Sequence, residues 1–360
     1  MSAPSQAAFL KIAVMGAGLI GRRHIEGVLA EPRATLSAVI DPSSAGREFA
    51  ASKGAKWFAT LAEAIVAERL DGVIIATPNQ LHAANALEVI DAGIPVLVEK
   101  PIADNGEAAA TLVAAGAKAG VPILIGHHRR HNPLIREVKR VLQSGRLGKI
   151  LTVQATFWVA KPDSYFDIDW RRQEGGGPTF INLIHDVDLF RYFFGEVDAV
   201  HAMESNSVRC NPVEDTAVIL LRFRSGVLAT MNASDAAASP WSWETTSGEN
   251  PAFPQQDQFC YQIGGTGGSL TIPQLELWTN MSKPGWLEPL VREHLPFSPA
   301  DPLTIQLQHF CDVIRREAEP LVSGEEGLAT LRVIEAIKAS ARSGETIHLD
   351  ETPGSTRSPK

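Results

Sequence analysis

Lys11-Ile12-Ala13-Val14-Met15 runs directly into Gly16-Ala17-Gly18-Leu19-Ile20-Gly21. The apolar run has strand length, and Ile20–Ala30 behind it reads as a helix. GxGxxG between a strand and a helix suits a dinucleotide. Its glycines permit a tight turn, close approach of the backbone to a pyrophosphate, and close helix–strand packing. The helix N-terminus then faces the negative charge. A bare GxGxxG is weak, but Asp41-Pro42 closes the next strand candidate, Thr35–Ile40, with Asp41 20 residues after Gly21. A carboxylate there accepts from a ribose 2′-hydroxyl and repels a 2′-phosphate, which favours NAD and makes NADP the lesser choice. Ser43, Ser44 and Arg47 lie close enough in sequence to soften that preference.

Outward from this stretch the same alternation continues. Ser44–Lys53 and Leu61–Glu68 read as helices, Gly72–Ala76 as a strand, Leu81–Ala92 as a helix. Pro95–Val98, Gly106–Ala119 and Pro122–Gly126 follow as strand, helix and strand. Nearly continuous apolar strands alternating with helices indicate a parallel sheet covered on both faces. After residue 126 the pattern changes. Leu134–Gln143 is an amphipathic helix, with Leu134, Val138, Val141 and Leu142 on one side. From Ile150 the period becomes two, with Leu151, Val153 and Ala155 on one face and Thr152, Gln154 and Thr156 on the other. Ala217–Arg222, Val227–Asn232 and Ser269–Pro273 repeat it, as a half-covered antiparallel sheet does. Leu303–Arg316 and Glu325–Ser340 are helical. The fold class read from this is α/β plus α+β: a Rossmann dinucleotide-binding domain over 1–126, a second domain with a large, mostly antiparallel sheet over 127–345, and a tail over 346–360. Met1–Ala8 and Pro353–Lys360 are polar ends expected to be mobile.

Composition narrows the class further. The 360 residues are 44% hydrophobic and 21% charged, average for a globular protein, and the length suits two domains. With 41 acidic against 33 basic residues the net charge is −8, and no basic run suggests a nucleic-acid partner. No apolar run approaches the roughly 20 residues of a membrane helix, and the N-terminus lacks the layout of a signal peptide. Cys210, Cys260 and Cys311 are odd in number and widely spaced, which fits a reducing compartment. A cytoplasmic chain without membrane or metal partners is expected.

Further motifs sharpen the reading. Glu99-Lys100-Pro101 ends the Pro95–Val98 strand, at the edge where α/β sheets bind ligands. On position alone Lys100 is equally a substrate-contacting group or a solvated loop charge. Thr77-Pro78-Asn79 is followed by His82, and Gly175-Gly176-Gly177 by His185 and Asp188. Together with the nucleotide fingerprint, in this order and from about Lys11 to Ser340, these resemble the Gfo/Idh/MocA oxidoreductase family. The resemblance implies a C-terminal sheet whose open face forms a homodimer or homotetramer. It also implies a catalytic or substrate-orienting role for Lys100, often with a cis Lys-Pro peptide, and a catalytic role for His185. Thr77, Pro78, Asn79 and His82 would lie beside the cofactor, with Gly16, Gly18, Leu19, Ile20, Gly21, Asp41, Glu99 and Lys100 completing its site. One departure stands out. Many members carry Asp four residues before the histidine; here that position is Ile181, followed by Asn182. An amide orients a substrate but takes no proton at neutral pH.

Alcohol oxidation needs a hydride acceptor and a base for the hydroxyl proton, and imidazole titrates in the useful range. His185 and Lys100 are the candidates, with the division between them open; a histidine hydrogen-bonded within the core is the plainer reading of His185. Arg129, in His127–Pro133, and Arg171, in Asp169-Trp170-Arg171-Arg172, suit a carboxylate-bearing substrate, or else pair with Asp167, Asp169 or Glu174. Trp170 and Trp243 are further substrate-site candidates; the loop from Ser239, with its tryptophans, either caps a ring or buries an oligomer contact. Gly264–Gly268 precedes a strand and reads as a hairpin turn. The sequence thus points to an NAD-dependent dehydrogenase of a secondary alcohol on a small polar ring: a sugar, inositol or related polyol. A carboxylated cyclic diol, or a non-catalytic NAD-binding sensor, are the alternatives.

Overall fold

The computed structural model describes residues 9–349, so the two expected mobile ends lie outside the described residues. The chain forms two compact units. One takes the chain up to Asn132 together with Ala300–Leu331; the other takes Pro133–Pro299 and the chain from Arg332 on.

In the first unit β1 (Leu10–Met15), α1 (Leu19–Ala30), β2 (Ala34–Ile40), α2 (Ser44–Ser52), β3 (Trp57–Phe58), α3 (Leu61–Ala67), β4 (Gly72–Ile75), α4 (His82–Asp91), β5 (Val96–Val98), α5 (Gly106–Ala119) and β6 (Ile123–Ile125) alternate. The strands lie in the order β3-β2-β1-β4-β5-β6, and every pairing is parallel. Burial explains the apolar runs: β4, β5 and β6 are buried at every position, so neither face needs polar residues. Local chemistry sets the helix ends. Asn105 accepts from the Ala108 amide at the start of α5, and Gly120 closes it at φ 64°. The strand order reverses between β1 and β4, which opens a crevice at their carboxyl ends.

The second unit is built on α6 (Pro133–Gln143), β7 (Ile150–Trp158), α7 (Pro178–Ile181), α8 (Leu183–Phe194), β8 (Val197–Ser205), β9 (Thr216–Phe223), β10 (Leu228–Ser234), α9 (Trp243–Thr246), β11 (Tyr261–Gly265), β12 (Gly268–Ile272), β13 (Glu276–Asn280) and β14 (Leu290–His294). After α10 (Pro302–Ile314) and α11 (Gly324–Ser343), β15 (Ile347–His348) completes a nine-stranded sheet ordered β14-β13-β12-β11-β7-β10-β9-β8-β15. Only β7 and β10 pair in parallel; the other neighbours are antiparallel. Gly264 pairs with Ser269 across the β11–β12 hairpin, as the glycine run suggested. Val153, Ala155, Phe157, Ile219, Leu221 and Met231 point into a core closed by Val187 and Phe190 of α8 and Ile334 and Ile337 of α11. Each of the larger side chains among them stabilises the fold by about 1.5–3 kcal/mol.

Three expectations need correction. Leu151 is 46% exposed rather than inward with Val153. The β11 register skips it, pairing Gly264 with Thr152 and Gly265 with Ile150, and this irregularity turns it outward. Residues 347–348 are not tail but pair with Val200 and Ala199, covering the edge of β8. Ala300–Leu331, assigned to the second domain by sequence, belongs to the first unit. There Phe310 and Cys311 of α10 are fully buried, a Cβ on Gly72 would meet Ile314 at 2.5 Å, and Arg33 pairs with Asp312 at 2.6 Å.

Candidate active site

The glycines of the first turn divide their work. Gly16 has φ +94°, and a Cβ there would lie 2.5 Å from the Ala76 carbonyl oxygen; one on Gly21 would lie 1.9 Å from that of Gly16. Both let backbones touch. Gly18 has nothing within 4 Å of its Cβ direction, so it leaves open space before the first turn of α1. Leu19 there is 89% exposed, and no acidic residue sits in that turn. Beside it the Asp41 carboxylate accepts from the Ala17 amide at 2.7 Å and the Ser43 hydroxyl at 2.5 Å. Burial pushes the Asp41 carboxyl up, but the Ser43 and Ala17 hydrogen bonds and the Arg22 charge outweigh it and hold it below the usual range. An ionised carboxylate beside uncovered first-turn amides fits a ribose and pyrophosphate. Arg47 stacks on Trp57 at 5.1 Å.

The β4 and β5 ends complete this edge. Thr77 donates to Asn85 at 3.0 Å, and Pro78 and Asn79 lead into a short 3-10 turn. His82 is only 1% exposed. Its nitrogens lie 2.7 Å from the Pro101 carbonyl oxygen and 2.8 Å from that of Thr77. The ring therefore ties the Thr77 loop to the Lys100 loop instead of presenting itself to a ligand. Glu99 likewise turns inward, 2.7 Å from His24 Nε2, and accepts from the Lys100 amide at 3.2 Å. Burial pushes its carboxyl up, but the His24 hydrogen bond and the charges of His24, His128 and Lys100 bring it down to about 2. Expected as a cofactor contact, Glu99 instead anchors the Lys100 loop to α1, because His24 lies on the buried face of that helix. The Lys100–Pro101 peptide is cis. Arg129 is 3% exposed, and its neighbour Arg130 pairs with Glu326 at 2.8 Å.

In the second unit Gly177 leads into α7 under Glu214: a Cβ there would lie 2.3 Å from a Glu214 oxygen. Glu214 accepts from the Thr179 amide at 3.1 Å and from Lys338 at 2.6 Å, seating the helix start. Asn182 joins α7 to α8, and its carbonyl accepts from the His185 amide at 3.1 Å, so the two predicted residues share one turn. Ile181 occupies the position before Asn182 and is half-buried. Lys161 lies against this turn, donating to Asn182 Oδ1 at 3.0 Å with Asp235 at 3.2 Å. Burial lowers the Lys161 ammonium pKa despite the opposing charges of Asp235 and Glu244. Sequence reasoning missed Lys161; no motif marks it, and its partners come from separate segments.

Arg171 donates to the Tyr165 carbonyl at 2.9 Å and lies 4.0 Å over the Tyr165 ring, whose centroid is also 4.7 Å from Lys161 Nζ. This brings Arg171 and half-exposed Trp170 into the Asn182 neighbourhood. Arg172 instead pairs with Asp169. Trp243 corrects the loop reading: it is 2% exposed and stacks on Tyr261 at 5.8 Å within the core, because α9 folds it inward. Among the described residues no group of His, Cys, Asp and Glu could hold a metal ion, and no helix is long and apolar enough to cross a membrane.

Known proteins resemble this chain in sequence and fold. Residues 10–127 match the oxidoreductase-family NAD-binding Rossmann fold, and residues 135–271 match the GFO/IDH/MocA C-terminal domain. A 1,5-anhydro-D-fructose reductase of Ensifer adhaerens is 27% identical over 345 residues, covering 94% of this chain and 98% of that protein. A D-apiose dehydrogenase of Paraburkholderia graminis is 28% identical over 358 residues, covering 94% and 89%. The WlbA dehydrogenase of Bordetella pertussis, solved with NADH and UDP-GlcNAcA, aligns with TM-score 0.78 at 26% identity over 96% of this chain and 100% of that one. Fold and site together define an NAD-binding oxidoreductase. The chain belongs to the Gfo/Idh/MocA family.

Proposed function

We propose that the protein oxidises a secondary alcohol of a small polar ring, a sugar, inositol or related polyol, with NAD in preference to NADP. The observation that carries this is the ionised, hydrogen-bonded Asp41 beside the open space at Gly18, on the same sheet edge as Lys100. Bound NAD supplies the hydride acceptor. Asp41 accepts from the ribose and opposes a 2′-phosphate; Gly18 lets the pyrophosphate reach the first-turn amides of Leu19 and Ile20. Lys100 and His185 handle the substrate hydroxyl: an ammonium suits polarisation of the oxygen, and an imidazole suits removal of the proton. Asn182 orients the ring by hydrogen bonds.

The test is NADH formation from NAD and NADP over polyols and aldoses, wild type beside Lys100→Ala. NAD-linked turnover that collapses at least a hundredfold in the variant is expected. Undiminished activity would remove Lys100 from the chemistry. NAD binding without turnover of any panel member would favour a sensor.

A further inference from the structure

We propose that a cavity in the second unit, between the end of α9 and the β12–β13 turn, is a further binding site for a polyhydroxylated ring rich in hydrogen-bond donors. Its volume is about 440 Å³, within the range of small-molecule sites, and none of its lining residues belongs to the Asn182–His185 turn. The loop after α9 builds one side. The Gln256 amide donates to the Thr245 carbonyl at 2.7 Å. Gly248, at φ +67°, lets the chain turn back, so that Gln255, Gln256 and Asp257 stand with Thr246 and Ser247 around the cavity. Pro273 and Gln274 of the β12–β13 turn form another side. The Leu295 amide donates to the Leu275 carbonyl at 3.1 Å, and two residues further on Phe297, 37% exposed, also lines the cavity.

Hydrogen bonds within the walls select the ligand. Three glutamines donate through Nε2 to main-chain carbonyls: Gln255 to Thr246 at 3.1 Å, Gln256 to Pro254 at 3.4 Å, and Gln274 to Gln258. A carbonyl only accepts, so each amide is held with Nε2 on the main chain and Oε1 left as its acceptor end. Gln274 Oε1 is buried and receives no donor among the described residues, an unmet acceptor in the wall that a ligand hydroxyl would satisfy. Asp257 adds a carboxylate, and among the described residues no Lys, Arg or His lines the cavity. An anionic ligand would meet acceptors and a like charge with no cation in compensation. A hydroxylated ring instead supplies donors around its edge, while Phe297 and Pro273 offer apolar surface to its C–H face. An ammonium on that ring gains a charge-assisted hydrogen bond at Asp257. The proposed hydride transfer uses none of these residues.

Ligand-observed NMR titration of the full-length protein without NAD tests this with D-glucosamine, D-glucose and D-glucuronate, at mildly acidic pH where the amine carries its proton. D-glucosamine and D-glucose should bind with dissociation constants on the order of 1 mM, the amino sugar more tightly. D-glucuronate should bind about tenfold or more weaker than D-glucosamine. Ser247→Trp, which sets a large ring into the cavity, should abolish binding of both. Phe297→Ala should weaken both by about threefold or more, and Asp257→Asn should remove the preference for D-glucosamine over D-glucose. Urea midpoints matched to wild type establish that the variants fold. If Ser247→Trp does not, Phe297→Ala and Asp257→Asn, both at exposed positions, decide the matter. No binding of any of the three sugars, D-glucuronate as tight as D-glucosamine, or binding unchanged in the cavity variants would overturn the proposal. Because binding is read without NAD, the result is independent of the dehydrogenase reading.

Discussion

Gly18 and Gly16 share a motif but not a reason. Alanine at Gly18 meets no protein atom within 4 Å and suits the observed φ −70°. Gly18→Ala should therefore keep wild-type stability in urea while NAD affinity falls tenfold or more, read by fluorescence titration. Gly16→Ala, at φ +94° against the Ala76 carbonyl, should instead lose stability by more than about 1 kcal/mol. Equal behaviour of the two would refute this division. Glu99 makes a pH prediction. Its folded value of about 2 lies below the ordinary 4.5, so its stabilisation is complete above pH 4.5 and is lost as pH falls towards 2. Urea midpoints taken from pH 5 to 3 should fall more steeply for wild type than for Glu99→Gln; parallel curves would remove Glu99 as a source of acid sensitivity. These residues differ in legibility. The glycines and Asp41 were readable because the chemistry lies within one strand–turn–helix–strand unit. His24 and Glu99 are 75 residues apart, and no pattern along the chain links them.

At the scale of elements, the first sheet was legible because full burial writes each central strand as an apolar run. The two-residue β3 is too short to carry a period. The second sheet was half legible. β9 and β10 alternate cleanly, but the β8 register shifts between Val197 and Ala199, breaking its alternation, and β14 is exposed throughout. The α7–α8 turn shows what such reading omits: its histidine and asparagine were found, but not the Glu214 seat beneath them. Gly177→Ala would drive a Cβ into that carboxylate and displace it from the Thr179 amide. A loss of about 1–3 kcal/mol, with turnover reduced and NAD affinity unchanged, is the expected result in urea melts and cofactor titrations. Unchanged turnover would show that the seat does not position His185.

For the molecule as a whole, the exposed face of the second sheet carries the last prediction. Met203, Val218, Leu220 and Leu228 are 71%, 46%, 49% and 56% exposed. They fall on adjacent strands: Met203 pairs with Val218, while Leu220 pairs with Thr230 and Leu228 with Arg222. Large apolar side chains gathered this way are what an interface between copies would bury. We propose that a second copy covers them, giving the homodimer or homotetramer expected of the family. Charge favours that occupant. The chain carries −8 overall, and two copies meeting through acidic surface would repel, whereas Thr230, Asn232 and Gln154 between these residues carry no charge. At the margin Arg222 is already paired with Asp198 at 2.6 Å. Sedimentation at micromolar concentration should show a dimer or tetramer. Leu220→Glu with Leu228→Glu should shift it to monomer by setting like charges against each other across the interface, with NAD affinity retained because the cofactor cradle lies in the other unit. A monomeric wild type, or a double variant that remains associated, would place the interface elsewhere.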